Sequence, residues 1–294
     1  MRALGGPEVL QLEEVARRSL APGEVRLRTL AAAVNHSDLD IRTGYSPIRR
    51  HPPFPYVPGL EVVGEVVETA GDTGTIGIGD RAWTTMQGLG GVRAERDGGY
   101  AEEVVVAAAV LAPLPASLDP VRFAAIGLAG VTAREAMRRL GELRGAKLIV
   151  TGATGGVGAV AVAVARALGA EVSELDRSAP SPAPGCADAV LDGVGGARFA
   201  SLVSALRAGG RYCMFGAAAG AEVSFDLWSL LDGRTLTGYS SEDLDGEALR
   251  ATTRELVAME LPSPPTMVMR LAEAARAHLL LASRAIRGRV VLVP

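Results

Sequence analysis

One stretch limits the folds open to this chain more than any other: Lys147-Leu-Ile-Val-Thr-Gly-Ala-Thr-Gly-Gly-Val-Gly158, continued by an Ala/Val-rich run to Leu168-Gly169. Leu148–Val150 is a short apolar run of strand character, and Ala159–Leu168 reads as a helix closed by Gly169. Between them, Gly152, Gly155 and Gly158 let the backbone turn sharply, approach a pyrophosphate and pack helix against strand. Unpaired N–H groups at the helix start, reinforced by its dipole, favour an anion there. Thr154, Gly156 and Val157 complete that turn, and Asp176 stands about 20 residues further on, the spacing of a ribose-reading acid. The alternative is a glycine-rich turn that serves packing alone.

A chain of 294 residues is long enough for two domains with a substantial core. A net charge of −3 gives no electrostatic reason to expect nucleic acid or an anionic membrane as partner. Cys186 and Cys213 stand far apart in sequence, which supports neither a disulfide framework nor a cysteine zinc cluster. The opening residues lack the apolar core of a signal peptide. The most apolar stretch, Val157 to Leu168, is too short to span a bilayer. The expectation is a soluble, cytoplasmic protein acting on a small molecule.

Up to about Pro115 the chain reads as β-structure. Val25–Leu30, Val62–Val67, Arg81–Thr85 and Ala101–Val106 are β-branched runs separated by Gly, Pro and Asp turns. From Asp119 the pattern changes to helices over Pro120–Leu128 and Ala133–Leu140, then to alternating strand and helix. Strands are expected at Leu148–Val150, Glu171–Leu175, Ala189–Asp192 and Tyr212–Phe215, with a helix at Phe199–Leu206. That alternation means a parallel sheet with right-handed crossovers. Leu271–Ser283 reads as helix and Val290–Val293 as a strand returning to the first domain. The expected division is therefore 1–117 with 262–294, and 118–261. One link breaks the rhythm: three prolines between Ser178 and Gly185 exclude a normal helix where a crossover helix belongs.

Several further signatures follow in order: Gly5-Gly-Pro-Glu-Val-Leu10, Val34-Asn-His-Ser-Asp-Leu39, Pro55-Tyr-Val-Pro-Gly-Leu-Glu61, Gly77-Ile-Gly-Asp80, Gly98-Gly-Tyr-Ala-Glu102, Val190-Leu-Asp-Gly-Val-Gly-Gly196 and Ile286-Arg-Gly-Arg-Val-Val-Leu292. With the glycine turn, they resemble the zinc-independent medium-chain dehydrogenase/reductases of the quinone oxidoreductase type, over nearly the whole chain. The resemblance implies an α/β protein: a GroES-like, partly open β-barrel catalytic domain, a Rossmann-type doubly wound parallel-sheet domain, and a substrate cleft between them. It also implies a homodimer. Against the family pattern the chain is short after Arg177, where relatives place a helix and a third strand that helps wall the adenine pocket.

Zinc-dependent members of the family carry Cys where Asn35 stands and a His-Glu pair after Gly59; here Leu60-Glu61 follows. Zinc needs three or four converging ligands, and His36 with Glu61 is not such a set, so no metal is expected. His36, His51 and His278 read as surface or packing residues. Family resemblance places Asn35, Tyr45, Tyr56 and Thr132 near the nicotinamide. Asn35 occupies a former ligand position; Tyr45 either bonds a substrate carbonyl or shields the cleft. Tyr56, beside Pro58-Gly59, reads more readily as a packing or cleft-wall residue, and the alternative for Thr132 is a helix N-cap before Ala133. Val194-Gly195 and Phe215-Gly216-Ala217 line the nicotinamide channel in this reading.

Cofactor choice rests on Asp176-Arg177-Ser178. The acid favours NADH by bonding ribose hydroxyls, whereas Arg177 and Ser178 suit the 2′-phosphate of NADPH; the family usage favours NADPH. Two functions follow. One is NAD(P)H-dependent hydride transfer to a quinone, enone or similar activated alkene. The other is a descendant of the fold that has abandoned the nicotinamide and uses its cleft for a non-redox conversion or for binding.

Overall fold

A computed structural model describes residues 1–45, 53–86, 88–91 and 94–294. The chain forms two compact units. The first comprises residues 1–128, 242–253 and 263–294, and the second residues 129–241 and 254–262.

The first unit is built on β1 (Glu24–Val34), most of whose 11 residues are buried. One edge of β1 pairs antiparallel with β2 (Glu61–Thr69), which pairs in turn with β3 (Arg81–Thr85). The other edge is shared by two partners in succession. Glu24–Arg28 meets β4 (Glu103–Ala107), and Ala32–Val34 meets β12 (Arg289–Val293). Register shifts at Arg26/Leu27 and Thr29/Ala31 bend the strand, as bulges do, and let one strand serve two directions of a curled sheet. Short β5 (Ala112–Pro113) flanks β3, and β11 (Thr266–Arg270) lies parallel to β12. Val25, Leu27, Val62, Val66, Val104 and Leu111 fill the interior. This is the GroES-like architecture. The eight-residue α1 (His36–Thr43) leaves β1 directly and ends at Gly44, whose φ of +74° is the left-handed C-terminal stop glycine supplies.

The second unit is a five-stranded parallel sheet in the order β10-β9-β8-β6-β7, formed by β6 (Lys147–Thr151), β7 (Glu171–Leu175), β8 (Ala187–Asp192), β9 (Leu206–Met214) and β10 (Thr235–Gly238). α3 (Gly156–Ala167) connects β6 to β7, and α4 (Phe199–Ala205) connects β8 to β9. Sequence order reverses between β6 and β8, so the unit has a Rossmann-type switch point. No helix or strand lies between Leu175 and Ala187, and β7 is consequently an edge strand. Ile149, Val190, Leu202, Leu206 and Tyr212 pack under the sheet.

One sequence expectation changes here. Pro120–Leu128 and Ala133–Leu140 are not two helices; α2 runs unbroken over Pro120–Arg138. Gly130 costs about 1 kcal/mol in a helix interior, but Ala129, Val131 and Ala133 are buried on opposite sides of the helix around it, and that burial outweighs propensity. Thr132 is therefore a mid-helix residue and caps nothing. The helix expected over Leu271–Ser283 starts as a 3-10 turn and becomes α6 over Ala274–Ala282. Two helices escaped the sequence reading altogether, α1 and α5 (Gly246–Ala258), as did the strands β5, β10 and β11.

Candidate functional site

The glycine turn of the second unit joins the C-terminal end of β6 to α3. Gly152 has φ +61°, a conformation other residues adopt only with strain. Its N–H donates to the Leu175 carbonyl at 3.1 Å, which fixes the turn beside the end of β7. A Cβ at Gly158 would lie 2.0 Å from the Gly152 carbonyl oxygen, so helix and turn meet only because both are glycine. A Cβ at Gly155 would sit 3.2 Å from that same oxygen. Thr154 and Gly155 are exposed, Gly156 and Val157 half-buried. The N–H groups of Gly156, Val157 and Gly158 have no partner among the described residues. A cradle that side chains would fill, lined with unpaired donors at a helix start, fits the pyrophosphate of a dinucleotide.

The loops after β8 and β9 are knit together beside this turn. Ala219 N–H bonds the Val194 carbonyl at 2.8 Å, and Gly196 N–H bonds that of Gly220 at 3.0 Å. The Phe215 ring lies over Gly193, where a Cβ would come within 2.5 Å of it. A Cβ on Gly152 would reach Val194 Cγ2 at 3.2 Å. The structure thus brings together Gly152, Val194, Gly195, Phe215, Gly216 and Ala217, all singled out by sequence. It adds one residue that sequence reasoning missed. Asp192, fully buried at the end of β8, accepts from the Val194 N–H at 2.8 Å and the Gly195 N–H at 3.1 Å. It also accepts from the hydroxyls of Thr151 and Tyr212. Four donors converge on this one carboxylate, and they lock the 193–195 loop to the end of β6. The signal was present: an acid closing an otherwise apolar strand must find donors.

In the first unit, Asn35, Glu61 and Arg289 form a buried trio. The Asn35 Nδ2 donates to Glu61 Oε1 at 3.0 Å and to the Ala33 carbonyl at 3.3 Å. Arg289 Nη2 donates to Asn35 Oδ1 at 2.9 Å and to Glu61 Oε1 at 3.1 Å. Leu128 N–H donates to Glu61 Oε2 at 2.8 Å, and only a glycine at 127 leaves that carboxylate room. Burial pushes the Glu61 pKa up, against the pull of Arg289 and Asn35. Beside the trio, Asp38 accepts from the N–H groups of Asn35 and Leu60 and from the Tyr100 hydroxyl. His278 Nε2 lies 3.3 Å from that hydroxyl. Burial, with Glu61 adding to it, raises the Asp38 pKa to about 7, and burial lowers that of His278 to about 3. Tyr100, Arg289 and the coupling of Asp38 to Glu61 were not foreseen.

Asn35 is thus placed among polar groups, with both amide hydrogens engaged. Tyr45 is 77% exposed in the turn after α1. Tyr56 is instead packed among Met1, Ile41, Leu60, Met86 and Leu128, and its hydroxyl has no partner among the described residues. Thr132 pairs its hydroxyl with that of Ser241 at 3.1 Å. Asp176 and Arg177 are exposed at the end of β7. His36 is exposed, His278 buried, and His51 lies outside the described residues.

With this geometry, sequence comparison becomes decisive. Residues 21–116 match the alcohol dehydrogenase GroES-like domain family, and residues 168–292 match the zinc-binding dehydrogenase family. The chain belongs to the medium-chain dehydrogenase/reductase family. A quinone oxidoreductase of Pseudomonas aeruginosa is 29% identical over 331 aligned positions, which take in 99% of this chain and 98% of that protein. An alcohol dehydrogenase of Geobacillus stearothermophilus is 36% identical over 192 positions, or 58% of this chain; the match spans about half of that relative, 55% of its length. The crystal structure of Escherichia coli quinone oxidoreductase complexed with NADPH superposes with a TM-score of 0.84 at 25% identity, covering 100% of this chain and 98% of that one. Among the described residues, no group of three or more His, Cys, Asp and Glu side chains is arranged to hold a metal ion. No helix among them is long and apolar enough to cross a membrane.

Proposed function

We propose that this protein is an NAD(P)H-dependent oxidoreductase that reduces a quinone, an enone or a similar activated alkene without zinc. The observation that carries the reading is the intact glycine turn with three unpaired N–H groups at the start of α3. A scaffold freed from its dinucleotide would have no need to keep that cradle open, so the turn favours the oxidoreductase over a cofactor-free descendant. When bound, the dinucleotide supplies a hydride. The backbone of Gly155–Gly158 holds its pyrophosphate, and Val194, Gly195 and Phe215–Ala217 flank its nicotinamide half. Asp192 keeps those flanking residues in place. In the first unit, Asn35 Oδ1 accepts from Arg289 Nη2 and has one lone pair left to orient a polar hydrogen. The exposed Tyr45 phenol is the group that hydrogen-bonds the substrate carbonyl and stabilises the developing oxyanion. Tyr56, enclosed by apolar side chains, acts through packing. The choice between NADPH and NADH falls to the residues at the end of β7.

Assembly as a homodimer is part of the same proposal. β10 has an open edge, and Leu227, Trp228 and Leu231 beside it are 70–75% exposed, a combination that invites pairing with another copy. Sedimentation equilibrium is expected to give twice the monomer mass, with Trp228→Glu shifting it to the monomer.

The function is tested by titrating the protein with NADPH and NADH and following nicotinamide fluorescence and Tm. Binding raises Tm by mass action, and Gly155→Val, which blocks approach to the turn, is expected to abolish the shift. No shift with either dinucleotide at millimolar concentration rejects the oxidoreductase reading.

A further inference from the structure

The link that replaces a crossover helix is pinned at both ends to one element. Gly185 N–H donates to the Ser204 carbonyl of α4 at 3.0 Å. At the other end, Arg198, immediately before α4, donates Nη1 to the Asp176 carbonyl at 3.0 Å and Nη2 to the Arg177 carbonyl at 3.0 Å. The same Nη2 reaches the Ala179 carbonyl. Arg198 therefore ties the loop after β8 to the loop after β7, although β6 lies between those strands, a span of about 10 Å at ordinary strand spacing. A third strand beside β7 would do this work through backbone pairing; here a guanidinium does it.

The clasp fixes the Asp176 carboxylate. Its Oδ1 accepts from the Ser178 N–H, the Ser178 hydroxyl and the Ala179 N–H, each at 2.9 Å. Those bonds, the Ser178 hydroxyl first, hold the Asp176 pKa below the usual carboxylate range, so the group is anionic at neutral pH. Oδ2 has no partner among the described residues. It stands one residue past Leu175, whose carbonyl accepts from Gly152 of the phosphate turn. A fixed anion with one open oxygen accepts from ribose hydroxyls and repels a 2′-phosphate. The Arg198 donors that could offset that repulsion are engaged by carbonyl oxygens.

We propose that Arg198 is a specificity-determining positioning residue: it stands in for the missing strand by holding the 176–179 loop, and so fixes Asp176 as a reader of unphosphorylated ribose that makes this chain select NADH over NADPH. The proposal rests on the oxidoreductase reading and departs from NADPH as the form bound to its relative from Escherichia coli.

Calorimetric titration of the full chain with NADH, NADPH and reduced nicotinamide mononucleotide tests it. Wild type is expected to bind NADH at least tenfold more tightly than NADPH. Arg198→Met should raise the NADH Kd about tenfold and collapse that ratio toward one, leaving the mononucleotide Kd within twofold. A variant that has merely lost its fold weakens the mononucleotide as well; Asp176→Ser then provides the second arm, removing the ratio while the clasp remains. A wild type that prefers NADPH and loses that preference in Arg177→Ala overturns the proposal, as does an unchanged ratio in both Arg198→Met and Asp176→Ser. A wild type that binds neither dinucleotide instead rejects the underlying oxidoreductase reading, so the two failures are distinct.

Discussion

The Asn35–Glu61–Arg289 trio and the glycine turn are both polar features of largely apolar units, yet they are opposites. In the trio, charge is buried and its donors and acceptors face one another, with Leu128 and Ala33 backbone groups joining in and Arg289 Nε left without a partner among the described residues. At the turn, three N–H groups face no protein acceptor among the described residues, and Thr154 and Gly155 are exposed. A buried network whose members mostly satisfy one another rigidifies a fold; an unsatisfied row of donors waits for an anion. Breaking the first costs stability, whereas blocking the second costs binding.

That contrast is sharpest at Arg289. Arg289→Met leaves Glu61 buried without its cation, and loss of one partner of such a pair destabilises by about 3–5 kcal/mol; urea denaturation measures it. A change below about 1 kcal/mol would mean that the trio is not a structural lock. Next in size is the pH response of the neighbouring Asp38–Tyr100–His278 chain. Asp38 has its pKa raised from 3.8 to about 7 by burial. It contributes stability that is fully present below its unfolded pKa and is lost as pH rises toward 7. His278 has its pKa lowered from 6.5 to about 3. It acts in the opposite sense: the fold must keep it neutral, so stability falls as pH drops below 6.5 toward 3. Between pH 4 and 6.5 the two slopes offset each other. Asp38→Asn removes one of them, and relative to wild type its stability is expected to rise with pH across that window by about 1.4 kcal/mol per unit, followed by denaturant midpoints. A profile parallel to that of wild type would show that Asp38 is not held protonated.

The second unit has its own lock, smaller in effect. Asp192→Asn turns an acceptor from four donors into a group that presents donors to donors, at a cost of about 1–3 kcal/mol. It should also loosen the 193–195 loop, so amide exchange at Val194 and Gly195 is expected to speed up before the rest of β8. The smallest effect falls at Thr132, whose hydroxyl bond to Ser241 is worth about 1 kcal/mol; Thr132→Ala should change the thermal midpoint by only a few degrees.

The two regions also differed in how far the sequence disclosed them. The turn was legible because its residues are contiguous, and glycine spacing translates directly into backbone geometry. The missing strand was legible for the same reason, since three prolines between Ser178 and Gly185 rule out a crossover helix. The trio was not, because Asn35, Glu61 and Arg289 are brought together by β1, β2 and β12, and a pairing over 228 residues leaves no local pattern. Arg198 escaped for a related reason: its partners are backbone carbonyls, which have no sequence signature. The cap alternative for Thr132 supposed a second helix starting at Ala133, and burial of the residues around Gly130 makes α2 continuous there instead.

The central claim is that the turn at Gly152–Gly158 still receives a dinucleotide although the sheet ends at β7. Amide hydrogen exchange, resolved at Gly156, Val157 and Gly158 with and without saturating NADH, tests it most directly. The account predicts that these three amides slow by at least tenfold on binding, while the amides of β1 and β12 in the first unit stay unchanged. Exchange at the turn that is indifferent to the dinucleotide would contradict it.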